Sequence, residues 1–286
     1  MPFYPRGQFT LSFELFPPKT PAGEEAMYAS VAELMTFGPD VITCTYGAGG
    51  STRDKTLEIT EQVKRRFGVR VASHLTCVGS TVEQLRTYLQ EAESRGVDNI
   101  VALRGDPPKG EVAFKPVDGG LRYASELVQL IKEEFPGYGI AVAGYPETHQ
   151  DALSPSADLE NLKRKVTAGG DVVITQLFYD NADFFRFRDA CQALGITAPI
   201  IPGILPVTNL SQIQRITSLC KARLPQQLVE DLSQRDDPEW QFDRGIAYAA
   251  RQVQELMDAG VPGIHYYVLN KSQATGAVLK AVKQNG

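Results

Sequence analysis

Short runs of apolar and β-branched residues alternate along this chain with longer stretches of helical periodicity, the sequence sign of repeated βα units and a parallel sheet. Eight such runs stand out, at 9–16, 41–46, 71–77, 99–104, 140–145, 172–178, 199–205 and 264–269. Apolar spacing between them predicts helices, among others over 24–37, 52–67, 81–95, 158–168 and 181–194. The interval 208–263 is longer than the rest and holds three further helical stretches, 212–220, 226–233 and 239–259, which read as an insertion between the last two strands. Eight strands with helices between them predict closure into a (β/α)8 TIM barrel; a doubly wound open sheet is the other arrangement that fits. Such a barrel takes ~250 residues as one domain, so the 286 residues are read as a single catalytic barrel domain, 1–286.

Composition narrows the class. With 43% apolar and 22% charged residues the chain has material for a large core and no bias towards disorder. The longest apolar runs, such as 198–207, are proline-broken and shorter than the ~20 residues a membrane helix needs, so no membrane association is expected. Residues 1–6 lack a basic stretch followed by an apolar core and cleavage site, which suggests a cytoplasmic protein. The net charge of −5 argues against a nucleic-acid partner, and an anionic ligand would need a local basic site. The cysteines, Cys44, Cys77, Cys191 and Cys220, are far apart with no CxxC pair, and are expected to be buried free thiols.

The first run carries the most informative polar residue. Phe9, Leu11, Phe13 and Leu15 alternate there with Thr10, Ser12, Glu14 and Phe16. Period two turns the apolar set towards the helices and Glu14 towards the barrel interior. Without a partner, a carboxylate buried there costs on the order of several kcal/mol or has its pKa raised. A raised pKa is what a general acid near neutral pH needs, whereas a salt bridge to an interior arginine or lysine is the purely structural use. Glu14 stands at the carboxyl end of its strand, where barrel chemistry gathers, and this favours the acid.

Other candidates surround it. Asp106 lies in Arg104-Gly105-Asp106-Pro107-Pro108, where glycine permits close backbone approach and the prolines stop regular structure. It is either a rigid strand-end carboxylate or a turn aspartate capping its own backbone. Gln176 shares a strand face with Ile174 and points an amide into the mouth, to be met by a ligand edge or by protein groups. The histidines, His74, His149 and His265, form neither HxH nor HExxH. Each alone reads as a satisfied core or loop histidine sooner than a metal ligand, with His74 and His149 also placed to border a polar ligand; no metal is expected. The stretch Thr45-Tyr46-Gly47-Ala48-Gly49-Gly50-Ser51-Thr52 invites a dinucleotide reading, but Thr52 stands where the third glycine belongs and no acidic residue ends the next strand. It remains a glycine-rich loop into a helix N-terminus, a place for an anionic or planar ligand. On the 158–168 helix Leu159, Leu162 and Val166 form a buried stripe, while Asp158, Asn161 and Lys165, with Arg164 adjoining, share another face. That face suits ribose hydroxyls and phosphates, or is a solvated charged surface.

Taken in order, Ser12-Phe13-Glu14-Leu15-Phe16-Pro17-Pro18-Lys19, Thr45-Tyr46-Gly47-Ala48, His74-Leu75-Thr76-Cys77, Arg104-Gly105-Asp106-Pro107-Pro108, Tyr145-Pro146-Glu147-Thr148-His149, Asn161-Leu162-Lys163-Arg164-Lys165, Ile174-Thr175-Gln176-Leu177-Phe178, Pro202-Gly203-Ile204-Leu205-Pro206 and Tyr267-Val268-Leu269-Asn270 are more specific than any one block. From about Phe9 onward the chain resembles the bacterial-type methylenetetrahydrofolate reductases. The resemblance implies an FAD-dependent barrel that uses NADH or NADPH to reduce 5,10-methylenetetrahydrofolate to 5-methyltetrahydrofolate, with folate and nicotinamide taking turns at the flavin in ping-pong fashion. It assigns Glu14 as the general acid that opens the folate ring at N10, and Asp106 as a carboxylate near flavin and pterin. Gln176 and Gln212 become substrate contacts. FAD would be held by Thr45, Tyr46, Ala48, His74, Arg104, Gly105, Asp106, Ala124, Tyr145, His149, Ala152, Asp158, Asn161, Arg164 and Lys165, which supplies the local basic site.

Two substrate positions depart from the family pattern. Ile216 stands where some members place an aromatic residue, and Lys271 where an arginine can clamp the folate glutamate, giving a point charge in place of a planar fork. No 2′-phosphate fingerprint selects between NADH and NADPH. Related enzymes are often dimers or tetramers, so a homo-oligomer is expected, without the S-adenosylmethionine control of eukaryotic relatives. Two other readings stay open: a different flavin-dependent barrel oxidoreductase resembling proline dehydrogenase, and a non-catalytic flavin- or folate-binding partner subunit.

Overall fold

All eight apolar runs become staves of one parallel sheet. The computed structural model describes residues 2–5, 7–46, 52–107, 110 and 114–284. The chain runs β1 (Thr10–Leu15), α1 (Pro21–Met35), β2 (Val41–Cys44), α2 (Arg53–Phe67), β3 (Arg70–Thr76), α3 (Val82–Ser94), β4 (Asn99–Leu103), α4 (Ala124–Glu134), β5 (Gly139–Gly144), α5 (Pro155–Thr167), β6 (Val172–Thr175) and α6 (Asn181–Ala193). The seventh stave is split at Pro202 into β7 (Ile200–Ile201) and β8 (Gly203–Ile204). The insertion follows as α7 (Leu210–Cys220), α8 (Gln226–Ser233) and α9 (Pro238–Asp258), before β9 (Gly263–Tyr267) and α10 (Gln273–Gln284).

The split stave closes the barrel. β7 pairs with β6 and β8 pairs with β9, which in turn pairs with β1. Proline has no N–H for a ladder, yet the Pro202 carbonyl accepts from His265 N at 3.0 Å. Gly203 N turns inward to Thr175 Oγ1 at 2.9 Å. The stave thus changes partner at the residue that cannot donate. An open sheet would leave two unpaired edges; here the order β7-β6-β5-β4-β3-β2-β1-β9-β8 begins and ends on the same stave.

Two helices begin three residues before their apolar periodicity does. Thr20 caps α1 by accepting from Gly23 N, with Pro21 in the first turn, and Ser154 caps α5 in the same way ahead of Pro155. An N-cap with proline just inside it starts a helix before any buried residue is needed. The main apolar layer lies between staves and helices, and includes Phe13, Leu15, Ile42, Leu75, Ile100, Ile140 and Val173. A second, smaller cluster fills the barrel at the amino ends of its strands. Phe3 and Tyr4 plug it, packed with Val41, Ala72, Val101, Ala141, Val172, Ile174 and Ile201. Among the described residues no helix is long and apolar enough to cross a membrane.

The plug sits against backbone. A Cβ on Gly139 would run into Asn99 Oδ1 and lie 2.6 Å from Phe3 N. Gly139→Ala is therefore expected to displace the plug and destabilise the protein by about 3 kcal/mol, read as a lower urea midpoint; an unchanged midpoint would show that the amino-terminal segment yields freely.

Candidate active site

The open end of the barrel carries the polar residues. Glu14, on β1 and opposite Thr43 in register, points inward as the alternation predicts. Its Oε2 lies 3.3 Å from His74 Nε2 of β3 and 3.4 Å from His265 Nε2 of β9. His265 Nε2 is aligned for a hydrogen bond, whereas His74 Nε2 is close but not aligned. Behind His265, Ser12 Oγ stands 2.8 Å from Nδ1, and Tyr4 Oη stands 2.6 Å from Ser12 Oγ. Tyr4, Ser12, His265 and Glu14 therefore form one chain of polar atoms from the plug to the mouth.

This setting corrects the expected acidity of Glu14. Burial pushes its pKa up, but His74 by charge and His265 by hydrogen bond outweigh it and hold the carboxyl at about 2. The partners are imidazoles and not the arginine or lysine of the structural reading. In the free site Glu14 is a carboxylate, and the nearest hydrogens able to reach it are on nitrogen.

A second group gathers on the neighbouring rim. Arg104 reaches Asp151 at 2.6 Å and lies over the Phe114 ring. Tyr145 meets His149 edge to face with centroids 4.5 Å apart. His149 N donates to Asp158 Oδ2 at 2.9 Å, Ala152 N donates to His149 O, and Lys165 Nζ donates to Ala143 O at 2.6 Å. Burial pulls the Lys165 pKa down to about 8. A desolvated ammonium held by a carbonyl and the face of Tyr145 suits an arriving anion, whose charge would restore its own. Tyr46 is fixed by its hydroxyl against Thr76 N and Oγ1, while Thr45 N pairs with Leu15 O. Gly105 has φ +88°, and a Cβ there would lie 2.6 Å from Val78 Cγ1, so packing alone demands glycine. Ala124 opens α4. On α5, Asn161 and Arg164 are exposed and bonded to each other. Ala48 lies outside the described residues.

The remaining candidates are more scattered. Asp106 is exposed, and among the described residues it makes no hydrogen bond that would mark it as a cap. Gln176 is half-buried at the mouth and accepts from Leu177 N at 2.9 Å, which leaves its NH2 as the outward group. Gln212 is exposed on α7 and bonded to Thr208, while Ile216, one turn on, packs partly against the insertion's own core. Lys271 is exposed just beyond Asn270. Leu269 and Asn270 both have left-handed backbones, φ 48° and 58°. That turn lets the Asn270 amide bond Phe16 twice, accepting from its N at 3.0 Å and donating to its O at 2.7 Å.

Other expectations met mixed outcomes. Cys44, Cys77 and Cys191 are buried free thiols, whereas Cys220 is only half-buried. Leu162 is buried and Leu159 and Val166 partly so, as the stripe predicts. The sequence reading passed over Ser12, Tyr4 and the partnership of His265 with Glu14, although alternation in 264–269 does place His265 on the inward face opposite Ile264 and Tyr266.

Comparison with known proteins then decides the family. The chain matches the Methylenetetrahydrofolate reductase family over residues 3–283. The chain belongs to that family. Relatives include a 5,10-methylenetetrahydrofolate reductase of Escherichia coli, 41% identical over 96% of this chain and 90% of that protein. Another is the maize methylenetetrahydrofolate reductase (NADH) 1, 39% identical over 96% of this chain and 48% of that one. The chain thus spans about half the length of its plant relatives and most of its bacterial ones. Among solved structures, an uncharacterized protein from Clostridium thermocellum that binds two copies of 5-methyl-5,6,7,8-tetrahydrofolic acid superposes with TM-score 0.63 at 13% identity, covering 98% of this chain and 96% of that one. A Coxiella burnetii dihydropteroate synthase in complex with pteroic acid superposes with TM-score 0.53 at 12% identity, covering 98% and 93%. These likenesses establish the barrel fold of the family member described above.

The depressed pKa of Glu14 has a signed consequence. Its stabilising contribution is complete above its ordinary value of 4.5 and is lost as pH falls through about 2. Relative to Glu14→Gln, the wild-type protein is expected to lose roughly 3 kcal/mol across that interval, measured by urea unfolding at stepped pH. A difference independent of pH would show that the imidazoles do not hold the charge.

Proposed function

We propose that this chain reduces 5,10-methylenetetrahydrofolate to 5-methyltetrahydrofolate, with FAD bound in the mouth and NADH or NADPH as reductant. The observation that carries the reading is Glu14 held between two imidazoles at the carboxyl end of a barrel of this family. When bound, FAD would take electrons from the nicotinamide and hand them to the folate.

The residues fit such a group. Among the described residues His74 Nε2, close to Glu14 but not aligned with it, and Thr43 Oγ1 are buried polar atoms without a hydrogen-bond partner, and Lys165 and Arg104 supply positive charge on the adjacent rim. On this reading Thr45, Tyr46, His74, Arg104, Tyr145, Asp158 and Lys165 hold the cofactor. Gln176 offers its NH2 to whichever substrate occupies the mouth, so folate and nicotinamide exclude each other and the kinetics are ping-pong. Glu14 delivers the proton that opens the folate ring at N10. Because the free carboxyl is ionised, it takes that proton up from solvent at the open mouth, while the aligned His265 Nε2–H holds the carboxyl in place. Water excluded by bound ligands would further favour the protonated carboxyl. Asp106, exposed at the rim, supplies negative charge that favours the cationic folate intermediate. Lys271 would meet the folate glutamate as a point charge.

The test is the visible spectrum of the purified protein, taken before and after anaerobic NADH and again after 5,10-methylenetetrahydrofolate. A yellow protein that bleaches and then recovers is expected. Bleaching by an amino acid but not by nicotinamide would assign it to another class of flavin barrel. Glu14→Gln should remain yellow and reducible by NADH while folate reduction falls by about 10²–10⁴-fold. Lys165→Met should weaken FAD binding about 10- to 100-fold, measured by fluorescence titration of the apoprotein.

A further inference from the structure

We infer that Tyr4 is a positioning residue for the acid: from the sealed end of the barrel, its hydroxyl sets the direction of the hydrogen-bond chain through Ser12 and His265 to Glu14. The inference rests on the function proposed above for its kinetic consequence, but not for its geometry.

The direction follows from what each atom can give. A carboxylate only accepts, so the His265 nitrogen facing Glu14 must carry hydrogen. In the neutral ring Nδ1 is then an acceptor, and Ser12, at 2.8 Å, must donate to it. The Ser12 oxygen keeps lone pairs for Tyr4 Oη at 2.6 Å. Every hydroxyl then donates towards Glu14. Run the other way, Ser12 would donate to Tyr4, Nδ1 would carry the hydrogen, and the lone pair of Nε2 would face a carboxylate. The buried hydroxyl of Tyr4 would also be left without an acceptor among the described residues. Burial of Tyr4 raises its pKa further, so its hydrogen stays in place.

Packing does not ask for this hydroxyl. The plug needs apolar rings, and Phe3 beside it provides one at 0% exposure, edge to face with Tyr4 at 4.8 Å. Ser12 and His265 are themselves 0% and 1% exposed. The Tyr4 hydroxyl ends on a sealed serine that is itself bonded to a sealed histidine, and it acts through that pair. Through them it keeps the Nε2 hydrogen aimed at the acid.

Tyr4→Phe retains the ring and so the plug. In the flavin-loaded enzyme it should slow folate reduction about 3- to 10-fold in kcat, the worth of one net hydrogen bond. KM and the rate of reduction by NADH should not change. Ser12→Ala should also slow folate reduction, and adding Tyr4→Phe to it should cost nothing more, because both act through one chain. Independent, multiplying losses would make Tyr4 merely structural and overturn the inference, as would a Tyr4→Phe enzyme at the wild-type rate. A readout that needs no turnover is the ¹⁵N spectrum of the His265 ring at a pH where it is neutral. The wild type should show the Nε2–H tautomer, and Tyr4→Phe a mixture. An identical single tautomer in both would overturn the inference even if folate proved not to be the substrate, whereas wild-type protein that fails to reduce folate yet shows the tautomer shift would overturn only the functional reading.

Discussion

A carboxylate inside a barrel is tolerable only where the surrounding strands bring hydrogen and positive charge to it. Glu14 meets that condition through β3 and β9, which approach β1 from either side of the sheet order without both being its neighbours. His265 comes from the adjacent stave, two residue pairs below Glu14, since Ser12 pairs with His265 and Glu14 with Tyr267. His74 comes from two staves away. Curvature of the sheet across β3, β2, β1 and β9 brings both rings to one oxygen atom, so the carboxylate's environment depends on the barrel's curl.

That dependence divides the barrel by height. Its amino-terminal end is sealed by Phe3, Tyr4 and the small or branched residues around them, and no water-filled route is required there. Its carboxyl-terminal end is polar, lined by Glu14, His74, Gln176 and the rim residues of β4, β5 and α5. Thr175 joins the two halves: its hydroxyl receives Gly203 N and its carbonyl receives Tyr267 Oη at 2.7 Å. These bonds bind the stave that carries Gln176 to the split stave and to β9.

Much of this was legible in the sequence, for identifiable reasons. Period two and β-branched runs report which residues face inward, and they located the eight staves and the orientation of Glu14. They do not report height or shear. His265 was visible as an inward residue but not as the neighbour of a carboxylate 251 positions away. The acidity of Glu14 was misjudged on the same account, because burial can be inferred from one strand whereas compensating imidazoles come from two others. Tyr4 lies outside any periodic run, so pattern alone gave it no role. The starts of α1 and α5 were missed because capping chemistry, and not apolar spacing, fixes them.

The Asn270 amide has a mechanical consequence. Its pair of hydrogen bonds to Phe16 continues, by a side chain, the pairing between the first and last staves after their backbones have parted. Two left-handed residues, at about 1–2 kcal/mol each, are the cost of aiming it. Parting the two strand ends along that seam has to rupture both bonds at once, so a single side chain braces the rim where the backbone ladder stops.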